Sequence, residues 1–316
     1  MQITSVSQHV SRQNTMRVFM TGIAHTTGDP RPITDIEPIA AEPRLVDALH
    51  EVGLATYRRA RDSPVDMAAA CIAETLDQSR IPASGIDILM LASSTIGFGQ
   101  IENTELLQLS ERFGLSHATP IGISAAECAN FGTALHLART LVASGEARTV
   151  LLVTADACTA PEQRLLRQVN SVISDGAASC LVTTEPARIE ILTTATATDQ
   201  LIRAATNPDT IAALTRRTLL GLVDEVLSRA DIDRTQIRQV ITNNINTEAL
   251  RFMTLSAGLD HNLCYVDNVA DFAHVHSADN LLNLQSYLED GAAPDQIVLT
   301  ISHAFGTWAL ALLSIR

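Results

Sequence analysis

Cys128 is the residue of this chain best placed for nucleophilic chemistry. It lies in the segment Ala125–Phe131, between a short apolar run that predicts a strand and a longer one that predicts a helix. The N–H groups at the start of a helix carry partial positive charge, which favours a thiolate and offers donors to an oxyanion. The sequence therefore predicts a reactive thiol, with a buried structural cysteine, the commoner fate of this residue type, as the alternative.

A nucleophilic cysteine needs a base and a group that orients the base. Among the nine histidines, His274 and His276 stand with Asp279 in the segment Ala273–Asn280, directly before a predicted helix. An imidazole and a carboxylate in this order are typical of the Cys–His–Asp arrangements found on unrelated folds. Zinc binding is the rival interpretation of the cluster, but it lacks a clear ligand set with Cys128, and we predict no metal.

The remaining cysteines and the charge balance indicate a reduced globular protein. Cys71, Cys158, Cys180 and Cys264 fall in apolar patterns and are predicted to lie in the core, and no CxxC pair exists. All 22 basic residues are arginines, which excludes lysine Schiff-base enzymes and P-loop nucleotidases. The net charge of −13 argues against a nucleic-acid partner. With no apolar run of about 18 residues, we expect a cytoplasmic protein without a membrane partner.

Helices and apolar strands alternate along the chain. The first half predicts strands at 16–24, 86–92, 120–123 and 149–155 and helices at 63–79, 103–113 and 129–144. The second half predicts helices at 209–229, 246–255 and 279–288 and strands at 239–242, 296–301 and 307–315. This alternation implies an α/β fold with mixed sheets covered by helices on both faces.

Two pairs of segments suggest an internal duplication. Residues 81–92 resemble residues 232–242, and residues 144–154 resemble residues 290–300, each pair at the same place in its half. Chance similarity between α/β units is the alternative. The domain organisation that we predict is a flexible tail at 1–15, a half carrying the nucleophile at 16–186 and a half carrying His274 and Asp279 at 187–316.

Several segments together resemble the ketoacyl-acyl-carrier-protein synthase III branch of the thiolase superfamily. Residues 126–135 (AECANFGTAL) are similar to the nucleophile segment of that family, residues 173–182 (ISDGAASCLV) to its GDGA turn, and Thr307-Trp308 to the start of its last strand. The resemblance implies a thiolase-like fold of five layers, αβαβα, with two pseudo-duplicated halves. It also implies a homodimer, no bound cofactor, and a thioester substrate carried on coenzyme A or on the phosphopantetheine of an acyl carrier protein.

The match departs from the family at the residues that assist the cysteine. The usual triad is Cys, His and Asn, whereas here Asn243 takes the place of the histidine and His274 that of the asparagine. The pattern AHVHSADN is similar to the GHxGxxDQ-type segment of variant members, which include starter-unit enzymes of aromatic polyketide pathways and acyltransferases acting on alcohols. In those variants a His and an Asp five residues later serve the nucleophile. The resemblance thus implies catalytic roles for Cys128, His274, Asp279 and Asn243.

The loop before the last strand also departs from the family, because residues 302–306 (SHAFG) replace a run of glycines. A backbone N–H of this loop usually helps to form the oxyanion hole. The resemblance therefore implies that the N–H groups of Cys128, Phe305 and Gly306 hold the oxyanion. The further candidates for lining the pocket are Glu127, His276, His303 and Asn246, of which Glu127 is expected to face away from the thiol.

The leading prediction is an acyltransferase that forms an acyl-enzyme on Cys128 and passes the acyl group to an oxygen or nitrogen acceptor, in specialised, polyketide-type metabolism. The first alternative is decarboxylative Claisen condensation, with Asn243 and His274 in exchanged roles. The second alternative is a non-catalytic helper subunit that pairs with an active homologue.

Overall fold

The computed structural model describes residues 16–96, 104–166 and 170–316; the predicted tail, residues 1–15, lies outside them. The strands are β1 (Phe19–Thr27), β2 (Asp29–Pro32), β3 (Thr56–Arg59), β4 (Ile88–Ala92), β5 (Thr119–Ile123), β6 (Thr149–Asp156), β7 (Leu165–Leu166), β8 (Ser171–Val172), β9 (Gly176–Thr183), β10 (Ile189–Thr198), β11 (Ile237–Thr242), β12 (Ile297–Ala304) and β13 (Thr307–Ile315). The α-helices are α1 (Glu37–Ala40), α2 (Pro43–Glu51), α3 (Pro64–Ser79), α4 (Thr104–Arg112), α5 (Asn130–Ser144), α6 (Gln200–Ala204), α7 (Pro208–Ala230), α8 (Thr247–Ser256), α9 (Val269–Phe272) and α10 (Asp279–Glu289).

Nine strands form one hydrogen-bonded sheet in the order β11-β12-β13-β10-β1-β9-β6-β4-β5. The sheet consists of two half-sheets, because the central strands β1 and β10 pair over a short stretch, Phe19 with Glu190 and Met20 with Ile189. Strands β2 and β3 form a separate two-stranded antiparallel sheet, as do β7 and β8.

The two half-sheets repeat one topology. In the first half-sheet β4 and β6 are parallel, and β6 and β9 are antiparallel. In the second half-sheet β11 and β12 are parallel, and β12 and β13 are antiparallel. Strand β1, antiparallel to β9, completes the first half-sheet, and β10, antiparallel to β13, completes the second. The parallel edge strand β5 has its counterpart in a single parallel bridge between Val240 and Cys264. The repeated segments of the sequence correspond accordingly: α3 leads to β4 as α7 leads to β11, and α5 leads to β6 as α10 leads to β12.

Three apolar layers hold the half-sheets and helices together. The outer layers pack α3 and α4 on the first half-sheet and α7 and α8 on the second, and a central layer holds α5 and α10. The side chains of β6 alternate between two of these layers: Val150 and Leu152 face the central layer, and Leu151 and Val153 face the outer one. The order is therefore helix, sheet, helix, sheet, helix, which confirms the predicted five-layered α/β architecture. Among the described helices, none is both long and apolar enough to cross a bilayer.

Helix α5, which follows the candidate nucleophile, lies unusually close to the hairpin of β12 and β13. A Cβ atom added at Gly132 would lie 2.7 Å from Cβ of Ala309 and 2.8 Å from Cβ of Ser302. Only glycine allows this approach, so Gly132 sets the spacing between the nucleophile segment and the loop that follows β12.

Gly132→Ala should therefore overpack this contact and lower the free energy of unfolding by about 1–3 kcal/mol. Gly221→Ala in α7 is the matched control, because nothing lies within 4 Å of an added Cβ there. This control should raise stability by about 0.5–1 kcal/mol through the entropy of the unfolded chain. Urea denaturation of both variants measures the difference, and equal midpoints would contradict the assigned role of Gly132.

Candidate active site

Cys128 lies in a single 3-10 turn, Glu127–Ala129, between β5 and the start of α5. Glu127 adopts a left-handed backbone conformation with φ of 51°, which turns the chain sharply before the cysteine. The buried amide of Asn130 braces this turn, since its Oδ1 accepts from the N–H of Ala126 at 2.9 Å and its Nδ2 donates to Ser94 Oγ at 3.2 Å. The turn thus holds the thiol at the N-terminal end of α5, as the sequence predicts.

The structure joins Cys128, His274 and Asp279 in one chain of contacts. Nε2 of His274 lies 3.0 Å from Sγ of Cys128, and Nδ1 of His274 lies 2.5 Å from Oδ2 of Asp279. The imidazole and the carboxylate are both almost fully buried. The three residues therefore have the geometry of a nucleophile, a base and an orienting carboxylate.

The backbone fixes both assisting residues. Asp279 begins α10 and accepts the N–H of Asn244 and that of Val275, each at 2.7 Å. The N–H of His274 donates to the carbonyl of Val172 at 2.9 Å, and its carbonyl accepts from Ser174 at 2.8 Å. His274 comes from the second half but is anchored to the first, so its imidazole is held against the thiol.

This arrangement favours an ion pair in the resting site. Burial alone raises the pKa of Cys128, but the charge and hydrogen bond of His274, with a contribution from His276, lower that pKa to about 6. Burial lowers the pKa of His274, but the Cys128 thiolate and the Asp279 carboxylate outweigh it and raise that pKa to about 10. Between these values Cys128 is a thiolate and His274 an imidazolium.

A cavity of about 220 Å³ opens beside the thiol. Cys128, His274, His303 and Glu127 line it together with apolar side chains, among them those of Ile202, Ile211, Ala249, Phe252, Met253 and Trp308. The carboxylate of Glu127 bonds Arg203 at 3.2 Å and is about half exposed, so it faces away from Sγ as expected. The cavity is mostly apolar and contains the nucleophile in its wall, which suits an acyl chain and its carrier arm.

The turn between β12 and β13 forms the wall opposite the cysteine. Phe305 and Gly306 line the cavity, and Gly306 has φ of 78°, the left-handed conformation that glycine adopts without strain. Cys128, Phe305 and Gly306 thus line one cavity, and the oxyanion hole formed by their N–H groups stays a prediction.

Asn243 tethers these two walls to each other. Its Nδ2 donates to the carbonyl of Cys128 at 3.3 Å, and its Oδ1 accepts the N–H of His303 at 2.9 Å. The amide does not line the cavity, and these two contacts give Asn243 a positioning role; the catalytic role that the resemblance implies stays a prediction.

Asn246 and His276, the other two residues predicted for the pocket, do not line this cavity. Asn246 instead caps α8, where its Oδ1 accepts the N–H of Ala249 at 2.7 Å. Cys158 is a correction: it follows β6 and is partly exposed, not part of the core. The apolar letters around Cys158 belong to the end of a strand and the turn after it.

Known proteins similar to this chain agree with the fold and the nucleophile segment. A family model described as 3-oxoacyl-[acyl-carrier-protein (ACP)] synthase III matches residues 124–200, which include Cys128. The beta-ketoacyl-[acyl-carrier-protein] synthase III of Rubrobacter xylanophilus is 24% identical over 273 residues, which are 80% of this chain and 84% of that protein.

Two solved structures share the whole fold. ChlB3, described as an acyltransferase, has a TM-score of 0.82 at 18% identity, covering 95% of this chain and 98% of its own. The 3-oxoacyl-[acyl-carrier-protein] synthase III of Aquifex aeolicus has a TM-score of 0.77 at 18% identity, covering 94% and 99%. The chain thus has the fold of these solved structures and is similar in sequence to synthase III proteins over most of its length. The predicted general class of enzyme, a synthase III-like acyltransferase, is confirmed.

This synthase III-like chain keeps strained backbone where variant members have glycine. In the segment similar to GHxG, Ala273 has φ of 47° and His276 has φ of 49°. A non-glycine residue in this region costs on the order of 1–3 kcal/mol. The glycines of the GHxG pattern at these two positions were the available signal for this conformation, which directs His274 towards Cys128 and brings His276 behind it.

His276, predicted as a possible pocket residue, lies beside His274. Its ring centroid lies 5.9 Å from that of His274. Burial lowers the pKa of His276, but the Asp156 carboxylate and the thiols of Cys128 and Cys158 outweigh it and raise that pKa well above its usual value. His276 therefore adds positive charge behind the thiolate. The described residues contain no cluster of three His, Cys, Asp or Glu side chains arranged for a metal ion.

Replacing His274 tests the ion pair directly. In the synthase III-like chain, alkylation of Cys128 by iodoacetamide should rise with pH around the thiol pKa of about 6. In His274→Asn the midpoint should move above the ordinary value of 9.0, because burial then acts against a weaker opposing charge. Cys128→Ser supplies the background from the partly exposed Cys158. An unchanged midpoint in His274→Asn would refute the proposed pairing.

Proposed function

We propose that this chain transfers an acyl group from a carrier thioester to an oxygen or nitrogen acceptor through an acyl-enzyme on Cys128. The single observation that carries the proposal is the contact chain from Sγ of Cys128 through His274 to Asp279. A low thiol pKa gives a nucleophile at neutral pH, and the adjacent imidazolium supplies the proton that the departing thiol needs.

In the first step the Cys128 thiolate attacks the thioester carbonyl carbon, and the carbonyl oxygen becomes an oxyanion. The N–H of Cys128 and those of the Phe305–Gly306 turn stabilise that oxyanion. Collapse of the tetrahedral intermediate breaks the bond to the carrier sulfur, which takes the proton from Nε2 of His274. The products are acyl-Cys128, neutral His274 and the free carrier thiol.

In the second step neutral His274 accepts the proton of an acceptor hydroxyl or amine. The acceptor oxygen or nitrogen attacks the acyl-Cys128 carbonyl, and collapse expels the Cys128 thiolate. An ester or amide leaves, and the thiolate–imidazolium pair is restored. Asp279 keeps Nδ1 of His274 protonated in both steps, so Nε2 alone exchanges the proton.

The position of Asn243 supports acyl transfer over condensation. Decarboxylative condensation needs side-chain donors at the enolate oxygen, and both polar ends of the Asn243 amide are engaged with main-chain groups. The described acyltransferase activity of ChlB3, which shares this fold, also supports transfer. Condensation is the second candidate, favoured by the synthase III names of similar proteins and by the two imidazoles, His274 and His303, that line the cavity. The helper-subunit reading is not favoured, because the nucleophile, base and carboxylate stand assembled.

We further propose coenzyme A or an acyl carrier protein as the donor, a homodimer as the working assembly, and a place in specialised, polyketide-type metabolism. The edge strand β5 supports the homodimer: it pairs only with β4 among the described strands and leaves its other edge open. A reduced, cytoplasmic setting fits a free catalytic thiol.

Intact-mass spectrometry with a panel of acyl-CoA donors tests the first step. Wild-type protein should gain the mass of the acyl group on Cys128, and Cys128→Ala should gain none. Asp279→Asn should slow acylation by about 10²–10⁴-fold, because the imidazole loses its orienting charge. Glu225→Gln, a surface carboxylate paired with Arg229 in α7, is the matched control and should leave the rate unchanged. No adduct from any donor would sink the proposal and favour a helper subunit.

Offering malonyl-CoA to the acylated protein distinguishes acyl transfer from decarboxylative condensation in the second step. We expect no steady release of CO2, and hydroxyl or amine acceptors should discharge the acyl-enzyme instead. Continuous CO2 release coupled to a carbon–carbon product would establish condensation in place of acyl transfer.

A further inference from the structure

Two polar side chains interrupt the otherwise apolar wall beside the thiol. His303 and Trp308 are directly paired across the β12–β13 hairpin, and both line the cavity that contains Cys128 and His274. Nε2 of His303 and Nε1 of Trp308 are buried and have no hydrogen-bond partner among the described residues. The pair therefore brings two unsatisfied nitrogen atoms to one wall of the substrate cavity.

Such atoms are costly where nothing binds them. A buried polar group without a partner destabilises a protein by roughly 1–3 kcal/mol. Natural proteins keep few such groups, and each one needs an explanation. Two of them on neighbouring strands of a ligand cavity are explained if the ligand supplies the missing partner.

The chemistry of the pair identifies that partner. The indole N–H of Trp308 only donates hydrogen bonds. Burial, together with the charge of His274, lowers the pKa of His303 to about 3, so this imidazole is neutral at physiological pH and carries one N–H. A neutral imidazole donates without competing with His274 for the thiolate. With the proton of His303 assigned to Nε2, both groups are donors and suit an oxygen atom that accepts hydrogen bonds.

The cavity shape indicates which part of the substrate carries the oxygen. Phe252 borders the cavity and is 43% exposed, whereas Trp308 is 3% exposed. A carrier arm enters from the exposed side and ends at its sulfur beside Cys128. The buried nitrogen atoms of His303 and Trp308 then face the group on the other side of that sulfur, which is the acyl group.

We propose that the acyl group transferred through Cys128 carries an oxygen close to its thioester, and that Nε2 of His303 and Nε1 of Trp308 bind this oxygen. The inference rests on the proposed acyl transfer and names its substrate class: hydroxy- or oxo-substituted acyl thioesters over plain alkyl ones. Asn243 positions the pair, since its Oδ1 holds the N–H of His303 at 2.9 Å.

The test compares butyryl-CoA with 3-hydroxybutyryl-CoA and 3-oxobutyryl-CoA, which have the same chain length. The rate constant for Cys128 acylation is measured by intact-mass spectrometry on one protein preparation. The wild type should acylate about 10- to 100-fold faster with at least one oxygenated donor, because the plain chain leaves the buried donors unpaired. The ratio of rates is independent of the fraction of folded protein.

Variants of His303 and Trp308 test whether the preference for oxygenated donors depends on these two residues. His303→Phe and Trp308→Phe keep an aromatic ring but remove the nitrogen, and each should reduce the ratio to within about threefold of unity. His303→Gln keeps a side-chain N–H and should restore part of the preference. Met253→Leu, an apolar exchange in the same cavity, should keep the wild-type ratio.

Three results would overturn the inference while acyl transfer stands. Equal rates for all three donors in the wild type would show that no acyl oxygen is recognised. Equal slowing of all three in His303→Phe would show that the pair binds the carrier arm. A preference that appears only when an alcohol acceptor discharges the acyl-enzyme would assign the pair to the acceptor. Absence of any adduct would instead refute the proposed function itself.

Discussion

The site depends on one buried chain of charge, from the Cys128 thiolate through the His274 imidazolium to the Asp279 carboxylate. Removing such groups from water costs several kcal/mol for each ion, and their mutual attraction offsets this only where geometry and hydrogen bonding are good. Asp279 meets the requirement with two backbone N–H donors besides the imidazole. A shift of any member would leave a buried charge without its partner, so the surrounding elements have to be held rigidly.

The duplicated topology explains how two distant parts of the chain reach one point. Helices α5 and α10 correspond in the two halves and share the central layer. Cys128 stands just before α5 and Asp279 opens α10, so the nucleophile and the carboxylate occupy similar positions at two corresponding helix starts. The backbone bridge between Ile173 and His274 then links the halves at the imidazole. Partial positive charge at both helix starts favours the thiolate and the carboxylate alike.

Much of this arrangement could be predicted from the sequence because it depends on local patterns. Every predicted helix and strand is present, with ends displaced by at most three residues. Ser63 caps α3 and Gly145 closes α5 in the left-handed conformation, as their residue types indicate. The spacing of His274 and Asp279 also sufficed to predict their pairing.

What escaped prediction depends on long-range contacts. Strand β10 has many threonines and alanines, so it lacks the apolar signal of the other sheet strands, although the sheet and helix α7 bury most of it. The positive φ of Ala273 and His276 has no signature in their own residue types, which usually avoid this conformation, and only the glycines of the GHxG pattern indicate it. The positioning role of Asn243 was also hidden, because a triad position predicts an amide that faces the substrate. Its actual partners, the carbonyl of Cys128 and the N–H of His303, are brought near only by the folded hairpin.

The exchange of histidine and asparagine between positions 243 and 274 follows from these contacts. An amide does not titrate, and it offers a donor at one end and an acceptor at the other. At position 243 it can therefore hold both walls of the predicted oxyanion hole without responding to proton movements in the reaction. The imidazole at position 274 reaches both the thiol and a buried carboxylate. In the proposed cycle, proton exchange is thereby confined to Nε2 of His274, while the groups that would hold the oxyanion keep one protonation state throughout.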